Sequence, residues 1–200
     1  MKQTTSLLAT GSLPRLGVEE PATKAPTLRD YAWVTAGLLV YDVALYALVV
    51  RFGARVVEPR AALAPLLAQV LLVLPVWLSM LIARNYAILT KLISGTYFLA
   101  FKDDPPPDWV ERPARTFNNL MQLPTLFYLA CVLMFVTGRI DAAQVALAWC
   151  FVALRILHAV VYIGWNHLPT RFGSYVAGFI TLTVIFWRFA AQAWDLLAPG

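Results

Sequence analysis

The segment ARTFNNLMQLPTLFYLACVLMFVT, Ala114–Thr137, decides the fold class. It is apolar and long enough for a bilayer, whose hydrocarbon core takes about 20 helical residues. Yet it carries Arg115, Asn118, Asn119 and Gln122. At about 3.6 residues per turn, Arg115, Asn118 or Asn119, and Gln122 project from one helix face. An Arg at the centre of a membrane helix costs about 2.5 to 3.5 kcal/mol on insertion scales, so such a stripe is expected to face protein or a wet cavity. A second segment, ALRILHAVVY at Ala153–Tyr162, repeats the pattern with Arg155, His158 and Tyr162. Two such stripes facing each other would enclose guanidinium and amide groups suited to a small, polar, anionic ligand.

Composition agrees with a membrane chain. Apolar residues make up 60% and charged residues 14% of the 200 residues, and mean hydropathy is +0.67, whereas soluble domains are about half apolar and about a quarter charged. The fold class that follows is all-α, a polytopic bundle of transmembrane helices. The net charge of +5 does not mark a nucleic-acid binder, because the basic residues are scattered over loops and helix ends; anionic headgroups of membrane lipids explain them better. Cys131 and Cys150 lie in apolar runs and suggest neither a disulfide framework nor a metal site.

Five spans are expected, at about Tyr31–Val50, Ala61–Ala83, Ala114–Thr137, Ala142–Trp165 and Phe172–Trp194. Residues 1–28 read as a disordered, retained polar tail, 29–60 as an additional helix and turn, and 61–200 as a four-helix membrane domain. Its one long connection, 84–113, holds the amphipathic YAILTKLISGTYF and the polyproline-like KDDPPPDW, both expected at the membrane surface. Pro65, Pro75 and Pro124 fall inside spans, where each predicts a kink. Lys2, Arg15, Lys24, Arg29, Arg84, Lys91, Lys102, Arg112, Arg115 and Arg171 fall on one side; Arg51, Arg55, Arg60 and Arg139 fall on the other. The excess puts the N-terminus and the long loop in the cytoplasm.

The stretch ARTFNNLMQLPTLFY, followed by RILHAVVY, resembles the membrane-associated eicosanoid and glutathione metabolism (MAPEG) family, and its bacterial branch most. The resemblance covers about Ala61 to the C-terminus. It implies a MAPEG-like four-helix core, here with one extra N-terminal helix, in a bacterial inner membrane, assembled as a homotrimer with sites shared between subunits. It also implies glutathione as cofactor and attack of its thiolate on a lipophilic small molecule, as in a glutathione transferase or peroxidase. Carried over by position, Arg115, Asn119, Gln122, Arg155 and Tyr162 would bind glutathione, and Arg171 would stabilise the thiolate as the catalytic residue. Gln122 stands where the family usually has Glu, and Asn118 where several members have Arg. Gln keeps the hydrogen bonds and loses the charge.

Other readings stay open beside these. Amides on membrane helices also hold bundles together, at about 0.6 to 2 kcal/mol each. The chain therefore also reads as a non-catalytic assembly or lipid-binding protein, with the first helix as a surface for a membrane-protein partner. His158 reads as a hydrogen-bonded packing residue and His167 as a loop histidine. Asp42, an ionisable group inside the first span, is expected to pair with a core Arg. No metal ligand set is expected.

Overall fold

The computed structural model describes residues 25–93, 97 and 105–197. Five long helices form the molecule: α1 Leu28–Phe52, α2 Leu63–Leu89, α3 Asp108–Thr137, α4 Ala142–Ile163 and α5 Leu168–Gln192, with a final short turn, α6, at Trp194–Leu197. All five long helices have the length and hydropathy to cross a membrane. The large apolar side chains exposed on them, such as Leu39, Leu71, Val136 and Trp187, suit acyl chains rather than water. The all-α polytopic reading therefore holds.

Local chemistry sets the helix ends. Thr27 and Asp30 form a capping box at α1, with the Thr27 backbone N–H donating to Asp30 Oδ2 at 2.7 Å and the Asp30 N–H to Thr27 Oγ1 at 3.4 Å. Asp141 and Gln144 do the same for α4, at 2.8 and 2.9 Å. Asp108 and Glu111 place negative charge in the first turn of α3, where the helix dipole favours it. Gly138, at φ +68°, ends α3 in the left-handed region that glycine enters without steric penalty.

Three boundaries differ from expectation by a turn or more; α5 begins at Leu168 rather than Phe172. Helix α2 runs on through Arg84 and Asn85 to Leu89, and α3 begins at Asp108 rather than Ala114. Polar residues at these ends mark the membrane edge, not the helix end, since a helix can project beyond hydrocarbon. The expected 84–113 loop is shorter accordingly. The surface-helix reading for residues 86–98 and the polyproline reading for 102–109 fall partly outside the described residues, and the polar-tail reading for 1–28 falls mostly outside them.

α4 packs chiefly on α5, and α2 on α3; α1 lies along α4 and α5. The main core joins Leu123, Phe127, Cys131 and Met134 of α3, Leu147, Phe151 and Val152 of α4, and Leu182 and Ile185 of α5. Phe127 and Phe151 stack at its centre with ring centroids 4.5 Å apart. α1 adds Leu45 to this core, with Tyr41, Leu48 and Val49 packed beside it. The Tyr41 hydroxyl meets Thr181 Oγ1 at 2.5 Å.

A polar clasp closes one end of the bundle. Buried Asp141 pairs with Arg188 and accepts from Gln192 Nε2 at 2.5 Å. Arg188 also donates to the Gly53 carbonyl at 3.3 Å, and the Ala142 N–H donates to the Arg55 carbonyl at 2.8 Å. The end of α1, the start of α4 and the end of α5 are thereby tied together. The α3 and α4 stripes lie toward the opposite end.

Candidate functional site

At that opposite end, the first turns of α5 meet the last turns of α4. Asn166, in the left-handed region at φ +50°, makes the turn between them, and its N–H donates to the Val161 carbonyl at 2.8 Å. Pro169 suits the first turn of α5, where an N–H has no helical partner. The tight turn brings Arg171 back over α4. Its guanidinium lies 4.1 Å from the Tyr162 ring centroid and donates to Asn166 Oδ1 at 2.6 Å.

An open cleft of about 190 Å³ results, lined by Asn119 of α3, His158 and Tyr162 of α4, and Leu168, Arg171, Phe172 and Tyr175 at the start of α5. His158 is 4% exposed. Its Nδ1 lies 3.1 Å from the Arg171 carbonyl oxygen. Because a carbonyl only accepts, Nδ1 is the protonated nitrogen in that bond, leaving the Nε2 lone pair of a neutral ring free. Nε2 is buried and has no hydrogen-bond partner among the described residues. The cleft thus combines one guanidinium, one amide and two phenols, with His158 Nε2 buried in its wall.

Arg155 supports this wall from below. It is 1% exposed, and its Nη2 donates to the carbonyls of Ser174 at 2.9 Å and Tyr175 at 3.2 Å. Its guanidinium also sits 5.4 Å from the Phe151 ring centroid and 5.2 Å from that of Tyr175. Gly178 makes room for it: a Cβ there would lie 2.9 Å from Arg155 Cζ. Arg155 is absent from the cleft lining and anchors α5 beside it.

The α3 stripe divides. Asn119 is half-buried and reaches the cleft, whereas Arg115, Asn118 and Gln122 are exposed. Adjacent helix positions differ by about 100°, so Asn118 and Asn119 serve different faces. Within one protomer the two stripes therefore do not face each other along their length, as the sequence reading expected. Arg115 pairs with Asp108 at 2.9 Å, and Arg112 bonds the same carboxylate at 2.6 Å while donating to the Gly164 carbonyl at 3.0 Å.

Asp42 does not meet a core Arg. It is exposed, and it has no hydrogen bond or ion pair among the described residues. The reason is rotational: Tyr41 and Leu45 set the buried face of α1, and the next position after Tyr41 turns away from it. His167 Nδ1 lies 2.8 Å from Thr170 Oγ1 at the helix start. His158 has the expected hydrogen bond, but its place in the cleft wall was not anticipated, nor was that of Leu168, Phe172 or Tyr175. For Tyr175 a signal existed, since it follows Arg171 by one helical turn.

A second, apolar groove of about 330 Å³ runs between α2 and α4, lined by Leu72, Pro75, Val76, Ser79, Ala159, Val160, Ile163 and Gly164. Among the described residues no three His, Cys, Asp or Glu side chains group as metal ligands.

No curated protein and no solved structure matches the chain. The MAPEG family model matches residues 62–191, which takes in α2, α3 and α4, all but the last residue of α5, and every residue lining the cleft. Together with the helical membrane architecture, this match shows that the chain belongs to the MAPEG family.

Proposed function

We propose that the protein is a glutathione-dependent membrane transferase or peroxidase acting on lipophilic electrophiles. The observation that carries this reading is the cleft lined together by Arg171, Tyr162, Asn119 and His158. The residues fit a peptide-like thiol: a guanidinium for an anion, and an amide and phenols for carboxylate or peptide groups. When bound, glutathione supplies the thiol that attacks the electrophile. Arg171 would favour the thiolate by its positive charge, since a free thiol titrates near about 8.5. Tyr162 would hold the tripeptide, and Arg155 would keep the α5 wall in register. The apolar groove beside Ala159 and Ile163 supports access for a substrate dissolved in the bilayer.

Arg115, Asn118 and Gln122 complete the reading only in an assembly. Their exposure on a spanning helix supports a homotrimer in which a neighbour covers them and shares the site. The excess of Lys and Arg on the N-terminal side supports a cytoplasmic N-terminus, and the resemblance to the bacterial branch of the family is what favours a bacterial inner membrane. A second reading, a non-catalytic assembly or lipid-binding protein with a partner on α1, draws on Gln122, which lacks the usual carboxylate.

Calorimetric titration of the detergent-solubilised protein with glutathione separates the two readings, with Arg171→Leu and Gln122→Glu alongside. The enzyme reading expects heat from the wild type and much less from Arg171→Leu. Heat only after Gln122→Glu would favour the non-catalytic reading. No heat from any of them would reject glutathione.

A further inference from the structure

Helix α1 lies outside the family-matched residues 62–191 and carries a feature the cleft does not use. At about 1.5 Å per residue its 25 residues span about 37 Å, with Asp42 about 21 Å from the first residue and about 15 Å from the last. Asp42 thus sits near mid-bilayer. It is exposed, as are Thr35 and Leu39 before it and Tyr46 after it, which share one side of the helix at three- and four-residue steps. The Thr35 hydroxyl is occupied by the Tyr31 carbonyl at 2.9 Å, which leaves Asp42 and Tyr46 as the polar groups facing outward.

A carboxylate facing acyl chains at this depth is strongly disfavoured, so something covers it. Among the described residues none supplies a counter-charge: Arg155 is committed to the Ser174 and Tyr175 carbonyls and Arg188 to Asp141. The remaining neighbours of Asp42 on α1 are aliphatic or aromatic.

We infer that the Asp42 side of α1 docks a single spanning helix of another membrane protein, one that carries a Lys or Arg at bilayer mid-depth. Charge complementarity selects that occupant: an ammonium or guanidinium satisfies Asp42, and the apolar remainder of the helix covers Leu39 and Val43, both exposed. The Tyr46 hydroxyl, one turn on, adds a second hydrogen-bonding group to the same seam. This inference rests on the partner reading of α1 and names its chemistry.

The test uses the full-length protein in phosphatidylcholine vesicles and a labelled synthetic leucine-alanine spanning helix with one central Lys. Energy transfer between the two reports association. The central-Lys helix should associate at least tenfold more tightly with the wild type than the same helix with Leu in its place, and Asp42→Leu should erase that advantage. Moving the Lys two turns from the centre should weaken it. Equal association with the wild type and Asp42→Leu would overturn the role of Asp42 while leaving α1 as a docking face. No association of any helix with either protein would overturn the partner reading as well. A change in the protein's own oligomeric mass in Asp42→Leu would make a second copy the occupant and overturn the inference. Glutathione titration of the same preparations reads the cleft separately.

Discussion

At the scale of single residues, Arg155 and Arg171 divide the work that their charge alone would assign equally. Arg171 lines the cleft over Tyr162, while Arg155 is buried and bonded to α5 carbonyls. On the proposed function, Arg171→Leu abolishes the ultraviolet thiolate absorbance of a glutathione complex while the helical circular dichroism stays unchanged. Gly178→Ala acts through Arg155: the added methyl meets the guanidinium, and overpacking of this kind costs about 1 to 3 kcal/mol. A lowered thermal midpoint in detergent checks it. His158 separates its two nitrogens by isostere. Asn can keep the bond to the Arg171 carbonyl and Gln keeps only a group at Nε2, so His158→Gln is expected to weaken glutathione binding about tenfold, by releasing the turn that carries Arg171, and His158→Asn to weaken it less. Calorimetry reads both. The reverse order would move the role of His158 to Nε2.

At the scale of elements, Asp141 is both the cap of α4 and the counter-ion of Arg188. Asp141→Ala removes the cap and leaves a mostly buried guanidinium unpaired, a loss of about 3 to 5 kcal/mol for a buried pair. Asp141→Asn keeps a capping oxygen and should lose less. Thermal unfolding ranks the two; equal losses would deny the cap its share, and no loss in Asp141→Asn would deny the ion pair its share. The five spans were legible because each is a long apolar run, and their polar ends misled by a turn or two at α2 and α3. The capping box of α4 could be read from Asp141 and Gln144 at three-residue spacing. Its reach to Arg188 and Gln192 could not, because those partners lie a whole helix pair away in sequence.

At the scale of the whole molecule, α1 and α3 each leave polar groups on outer surfaces, and these surfaces call for different neighbours. The α3 surface bears Arg115, Asn118 and Gln122, for which a second copy is proposed. With Cys131 and Cys150 replaced by Ala, Gln122→Cys should therefore give cross-linked species up to a trimer with a trifunctional thiol reagent, which one thiol per protomer can saturate. A species that stays monomeric at every reagent concentration would count against the shared site.

The sequence by itself determined the membrane class, the five helices, the family and the two polar stripes, because hydropathy, span length and helical spacing are properties of consecutive residues. Tertiary structure alone decided which stripe residues meet. Helix rotation turned Asn119 into the cleft and Gln122 out of it, and the turn at Asn166 brought Arg171 onto Tyr162. It also sent Arg155 to backbone carbonyls instead of Asp42. Those outcomes depend on how neighbouring helices are rotated and stacked, a quantity set by packing at Phe127, Phe151 and Gly178 and invisible in any single segment.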